Sequence, residues 1–87
     1  MAYYRIEWRS STKKDLRRIS KSEVQKIIES VEALSKQPRP NGSMKLSGSD
    51  FTYRIRIGNF RVIYEIHDDV VLIEVVKVGH RKDVYTK

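Results

Sequence analysis

The hydrophobic positions of this chain change period twice. From Tyr3 to Trp8, in YYRIEW, apolar and polar residues alternate with three aromatics among them, the period of a half-buried strand. Ser10-Ser11-Thr12 breaks the alternation. Thr12 with Asp15 three residues later has helix-cap spacing, so a short helix is expected to open there and run to about Ile19. Leu16 and Ile19 mark its inner side; Lys13, Lys14, Arg17 and Arg18 mark its solvated side. Ser20 with Glu23 repeats the capping pattern. Val24, Ile27, Ile28, Val31 and Leu34 then form one stripe at helical spacing, which predicts a second helix over about Lys21 to Lys36. Pro38 and Pro40 end it. Asn41 to Asp50 reads as a loop with a short strand at Met44 to Leu46.

The period returns to two for most of the remaining chain. Tyr53 to Ile57, Phe60 to His67 and Val70 to Val78 are rich in Ile, Val, Tyr and Phe, and predict three strands. Gly58-Asn59 suits a two-residue type II′ hairpin turn, and Asp68-Asp69 predicts a second tight turn. The order β-α-α-β-β-β implies an α+β fold, an antiparallel sheet covered on one face by a helical hairpin. The first hairpin sets Ile57 opposite Phe60, Arg56 opposite Arg61 and Ile55 opposite Val62. Alternation places Tyr53, Ile55, Ile57, Phe60, Val62, Tyr64 and Ile66 on the core face, joined by Val71, Ile73 and Val75.

The same register raises a chemical question. Arg54, Arg56 and Arg61 go to the opposite face, and directly opposed like charges are unfavourable. Setting Val76 opposite Arg61 brings the tail KVGHRKDVYTK, with His80, Arg81, Lys82 and Tyr85, to the same end of the sheet. Guanidinium forks match phosphate oxygens in pairs, and Tyr85 and His80 can stack on bases. Clustered cations also stabilise the phosphorane formed when an RNA 2′-hydroxyl attacks the adjacent phosphate. That reaction needs no metal where the protein supplies charge and proton transfer. The bland alternative is a solvated face that discourages aggregation. It suffices for Arg54 alone, and is weaker for the opposed Arg56–Arg61 pair.

Composition points the same way. The chain has 87 residues, with 18 Lys and Arg against 11 Asp and Glu, a formal charge of +7. A polyanionic partner is favoured, and residues 1–87 are expected to form a single domain. There is no cysteine, which excludes disulfides and Cys-based metal sites. His67 and His80 are too far apart for a convincing cluster, so no metal or cofactor is expected. No apolar run approaches the ~20 residues of a membrane span, and YYRIEWRSS does not read as a signal peptide. No membrane association and a cytoplasmic location are expected.

At this point the residues carry a resemblance. KL-G at Lys45 to Gly48, Y-R-I-R at Tyr53 to Arg56, FRVIY at Phe60 to Tyr64 and VGHRKDVY at Val78 to Tyr85 resemble the RelE/ParE toxin superfamily, nearest its RelE-type mRNA interferases. The strand and helical hairpin before them fit the same order, so the resemblance covers nearly the whole chain. It implies the toxin of a type II toxin–antitoxin pair, with a cognate antitoxin as partner. It also implies an endoribonuclease that cuts mRNA in the A site of the 70S ribosome and so inhibits translation, leaving a 2′,3′-cyclic phosphate and a 5′-hydroxyl. Arg56 falls at a position proposed as general base, Arg61 at one that stabilises the transition-state phosphate, and Arg81 at one assigned to leaving-group protonation or charge stabilisation. Tyr85 falls at a tyrosine that stacks on the substrate base. Arg54, Lys45 and Lys82 are expected to bind the RNA.

Two departures bear on mechanism. Arg54 and Arg56 stand where RelE-like toxins often have lysines, and arginine holds its proton too strongly to serve well as a base. His80, next to Arg81, has the natural pKa for that work and is the substitute candidate for acid or base. Two residues follow Tyr85, so no C-terminal helix is expected there, leaving the site open or covered by the antitoxin. Two other readings stay open: a ParE-like inhibitor of DNA gyrase, and a non-catalytic RNA-binding domain.

Overall fold

The computed structural model describes residues 3–82. Its elements are β1 (Arg5–Trp8), α1 (Ser10–Arg17), α2 (Lys21–Ala33), β2 (Met44–Lys45), β3 (Thr52–Ile57), β4 (Phe60–His67) and β5 (Leu72–His80). The five strands form one sheet in the order β1-β5-β4-β3-β2. The class is the expected α+β, but the sheet is mixed rather than antiparallel, because β1 pairs parallel with β5, Arg5 beside Leu72 through Trp8 beside Val75. The helical hairpin carries the chain from the β1 edge to the β2 edge, and the β2–β5 meander then returns to β1.

The helices start and stop for local reasons that differ in part from expectation. Thr12 is not the cap of α1. Arg9 is the extended N-cap residue, its N–H still donating to Val75 O at 2.9 Å, so the helix begins at Ser10 as soon as the strand ends. Thr12 is fully buried one turn in, and its Oγ1 donates back to Arg9 O at 2.5 Å. Ser20 does precede α2, in extended conformation, with its Oγ donating to the Glu23 carboxylate at 3.0 Å rather than accepting a backbone N–H. Glu23 sits in the first turn, where the helix dipole favours an anion. The helix ends at Ala33, and successive tight turns lead to the prolines.

The core is the apolar face that alternation marks out. Ile27 and Val31 of α2 and Leu34 at its C-cap pack against Ile55, Val62, Tyr64, Ile66, Ile73, Val75 and Val78, with Tyr53, Ile57 and Phe60 partly buried around them. The first hairpin has the expected register, Arg56 facing Arg61. Gly58 carries the turn at φ +60°, which type II′ geometry requires and a side chain would resist.

The second hairpin differs. Its turn spans four residues, Asp68 to Val71, and Val71 adopts φ +53°, a conformation costly for a β-branched side chain. Tertiary contacts hold it there: Asp68 accepts from Tyr4 Oη and from Arg39 Nη2, and Val71 O accepts the Arg5 N–H at 2.9 Å. Val71 therefore lies in the turn and not on the core face. Further along, β5 carries one extra residue, Val76, between the pairs Tyr64–Val75 and Ile63–Lys77. This bulge lets Val75 and Val78 both face the core, 0% and 2% exposed. The longer turn moves the pairing by two residues and the bulge by one more, so Arg61 faces Gly79 and not Val76.

Candidate functional site: a basic row on the outer sheet face

The register sorts the uncovered face of the sheet into rows of charge. Arg56, Arg61 and Gly79 lie side by side in the first row. Met44, Arg54, Ile63 and Lys77 form the second, and Thr52, Glu65, Glu74 and Glu7 the third. One end of the face is thus cationic and the other acidic.

Gly79, opposite Arg61, brings no side chain to the row. Arg61 is half-buried and its Nε is shut off from solvent, while Arg56 opposite is exposed. The pair therefore combines a partly buried cation with an accessible one. Arg81 joins at the end of the hairpin, where its N–H donates to Asn59 O at 2.8 Å. Both Arg81 and Lys82 are exposed. Lys45 lies on β2 beside Tyr53, a core-face residue, so alternation sets it on the face opposite Arg54, while its neighbour Met44 shares the face of Arg54.

His80 is not brought into this group. It pairs with Phe60 on the core side of the sheet, its ring edge-on to the Phe60 ring at 5.7 Å. Its Nδ1 accepts the Lys82 N–H at 3.3 Å. The sequence expectation of His80 as acid or base assumed the tail ran past the arginines on one face, and strand alternation turns the imidazole away. Its observed work is to hold the turn that carries Arg81 and Lys82. Tyr85 lies outside the described residues.

The acidic row contains what the sequence reading missed. Glu65, His67 and Glu74 offer ligand atoms within 4.8 Å of one another, a set that could in principle hold a metal ion. Arg9 already occupies it. Its Nε and Nη2 donate to the Glu74 carboxylate at 3.2 and 3.3 Å, its Nη2 comes within 3.9 Å of Glu65, and His67 Nε2 lies 3.1 Å from Glu65. The hydrogen bond to Glu74 holds the Arg9 guanidinium still more firmly in its charged form. The network neutralises two glutamates forced opposite each other on β4 and β5. The cross-strand partners could not be found without the register of β5.

Comparison with known proteins identifies the family and the fold. Residues 6–85 match the family described as the ParE toxin of type II toxin–antitoxin systems, parDE. The chain is 34% identical to the putative toxin RelE1 of Methanocaldococcus jannaschii, over 94% of both chains. It is 25% identical to a putative RelE-like toxin protein of Escherichia coli, covering 94% of this chain and 90% of that one. Its fold superposes with a TM-score of 0.83 on the archaeal RelE–RelB complex from Pyrococcus horikoshii, at 26% identity, covering 94% of this chain and 99% of that one. The chain belongs to the RelE/ParE superfamily, as a RelE-type toxin of a type II toxin–antitoxin system.

Proposed function

We propose that this toxin is a metal-independent endoribonuclease that cuts mRNA in the A site of the 70S ribosome. The observation that carries the reading is the Arg56–Arg61 pair, opposed on one rigid hairpin and facing Gly79. A pair of preorganised guanidinium groups suits a phosphate whose charge increases in the transition state. In this mechanism the RNA 2′-hydroxyl gives its proton to water as its oxygen attacks the adjacent phosphorus, the bond to the 5′-oxygen breaks and that oxygen takes up a proton, and a 2′,3′-cyclic phosphate and a 5′-hydroxyl result. Arg61 and Arg56 hold the nonbridging oxygens, and Arg81 sits by the departing 5′-oxygen. Arg54 and Lys82 bind flanking phosphates, and Tyr85 stacks on a base. Arg56 acts by charge, since arginine does not give up its proton at neutral pH.

The proposed protein partner is a cognate antitoxin, because related structures from P. horikoshii and M. jannaschii are RelE–RelB complexes. Two surfaces suit it: the basic row, and a groove of about 640 Å³ between α1 and α2 that includes Leu16, Ile19, Val24 and Ile28 with Lys13, Arg17 and Lys21 on its rim.

The test is induced expression in bacteria followed by mapping of mRNA 5′ ends on translating ribosomes. Cuts at fixed positions within codons, lost with Arg61→Ala, support the reading. Growth arrest with intact mRNA and altered DNA supercoiling would instead place the protein among the gyrase inhibitors.

A further inference from the structure

The basic face does not end at Arg56 and Arg61. One row further along, at the β2–β3 edge, lies a small cleft of about 220 Å³ lined by Met44, Lys45, Leu46, Ser47 and Arg54, with no acidic side chain among them. Met44 stands beside Arg54, two residues along β3 from Arg56. Two strand residues span ~6.6 Å, close to one nucleotide step along an extended RNA strand.

Met44 is unusual in being 55% exposed on an edge strand. Arg54 Nη2 lies 2.7 Å from its Sδ, which sets the guanidinium beside the thioether while its other donors remain for a ligand. The wall behind is already ordered. The Leu46 N–H donates to Thr52 O at 2.9 Å. Ser49 Oγ accepts the Phe51 and Thr52 N–H groups at 3.2 and 3.1 Å, and lies 2.7 Å from Thr52 Oγ1.

We propose that this cleft is a single-nucleotide subsite of the RNA-binding face, resting on the ribonuclease reading above. Arg54 takes the phosphate. The base lies over the Met44 thioether, with Leu46 as the apolar wall and Ser47 as a polar group within reach. A polarisable sulfur packs well on a flat aromatic ring, and such a contact accepts any base because every base has a π face. Met44 is thus a substrate-contacting residue that positions the strand one nucleotide from the arginine pair.

The experiment labels the methionine methyl groups with 13C. The chain has two methionines, so the spectrum of Met44→Ala assigns the Met44 methyl. The protein is titrated with a short single-stranded RNA carrying 2′-O-methyl groups, which binds but cannot be cut. The backbone amides of Arg56 and Arg61 report RNA on the basic row. The expected result is an upfield ring-current shift of the Met44 methyl that saturates together with those amides. Met44→Ala should weaken binding about five- to tenfold with the fold unchanged, and Arg54→Ala should lower the salt slope of binding by about one. If the Arg56 and Arg61 amides move while the Met44 methyl does not, the subsite is wrong and the RNA reading survives. If neither moves, the RNA reading falls and the subsite with it.

Discussion

Arg61 faces a residue with no side chain, Gly79 of β5, and its buried Nε makes it the less exposed member of the pair. If Arg61 stabilises transition-state charge, Arg61→Ala should slow ribosome-dependent mRNA cleavage by about 10²–10³-fold with an unchanged circular-dichroism spectrum. Arg61→Lys should recover only part of the rate, since an ammonium restores charge without the planar fork. Cleavage by Arg61→Ala at the wild-type rate would remove the residue from the mechanism. A second residue-scale expectation concerns Tyr64, fully buried with its Oη donating to Pro38 O at 2.8 Å. Burial pushes its phenol up to about 12, above the ordinary value of 10.0. The folded state thus holds this proton more tightly than the unfolded one. Its contribution is fully present below pH 10 and is lost as pH rises from about 10 through about 12. Tyr64→Phe should flatten that part of the stability profile, measured by urea unfolding across the alkaline range.

At the scale of elements, α1 and β5 depend on each other. β5 continues past its pairing with β1, which ends at Val75, and α1 covers the edge left open. Asp15 Oδ2 accepts the Val78 N–H at 3.1 Å, doing the work of a missing strand neighbour. Asp15→Ala should therefore cost about 1–2 kcal/mol, while Asp15→Asn, which keeps a carbonyl acceptor, should cost less; urea denaturation of the two variants would separate them. Equal losses would mean that the carboxylate charge, and not the hydrogen bond, holds the edge. Asp15 shows the limit of local pattern. Its spacing from Thr12 reads as a cap, yet Thr12 is buried inside the helix and Asp15 serves a strand sixty-three residues away. The second helix was more legible, because Ser20 and the stripe from Val24 to Leu34 act within one element.

The whole molecule divides its outer face by charge. Arg56 and Arg61 mark one end, while Glu7, Glu65 and Glu74 mark the other with Arg9 among them. With a net charge of +7 and a cationic end to this face, RNA affinity should fall steeply and log-linearly with salt. Each basic side chain in true phosphate contact should reduce that slope by about one when replaced by alanine. Fluorescence anisotropy across a salt series checks it, and a slope near zero would mean that the cationic end does not meet the phosphate backbone.

The sequence by itself determined what depends on near neighbours. Alternation set the faces of β3 and β4, Gly58-Asn59 set their register, and that register opposed Arg56 to Arg61. Only the tertiary structure decided what depends on distant contacts. Asp68, held by Tyr4 and Arg39, belongs to a four-residue turn, and Val76 bulges so that Val75 and Val78 both reach the core. Those two shifts set Gly79 beside Arg61 and send His80 to the other face. One local signal did hint at the bulge: Val75-Val76-Lys77-Val78 breaks alternation. Its consequence could not be read without the partner strand, because a one-residue shift exchanges the two faces of everything beyond it.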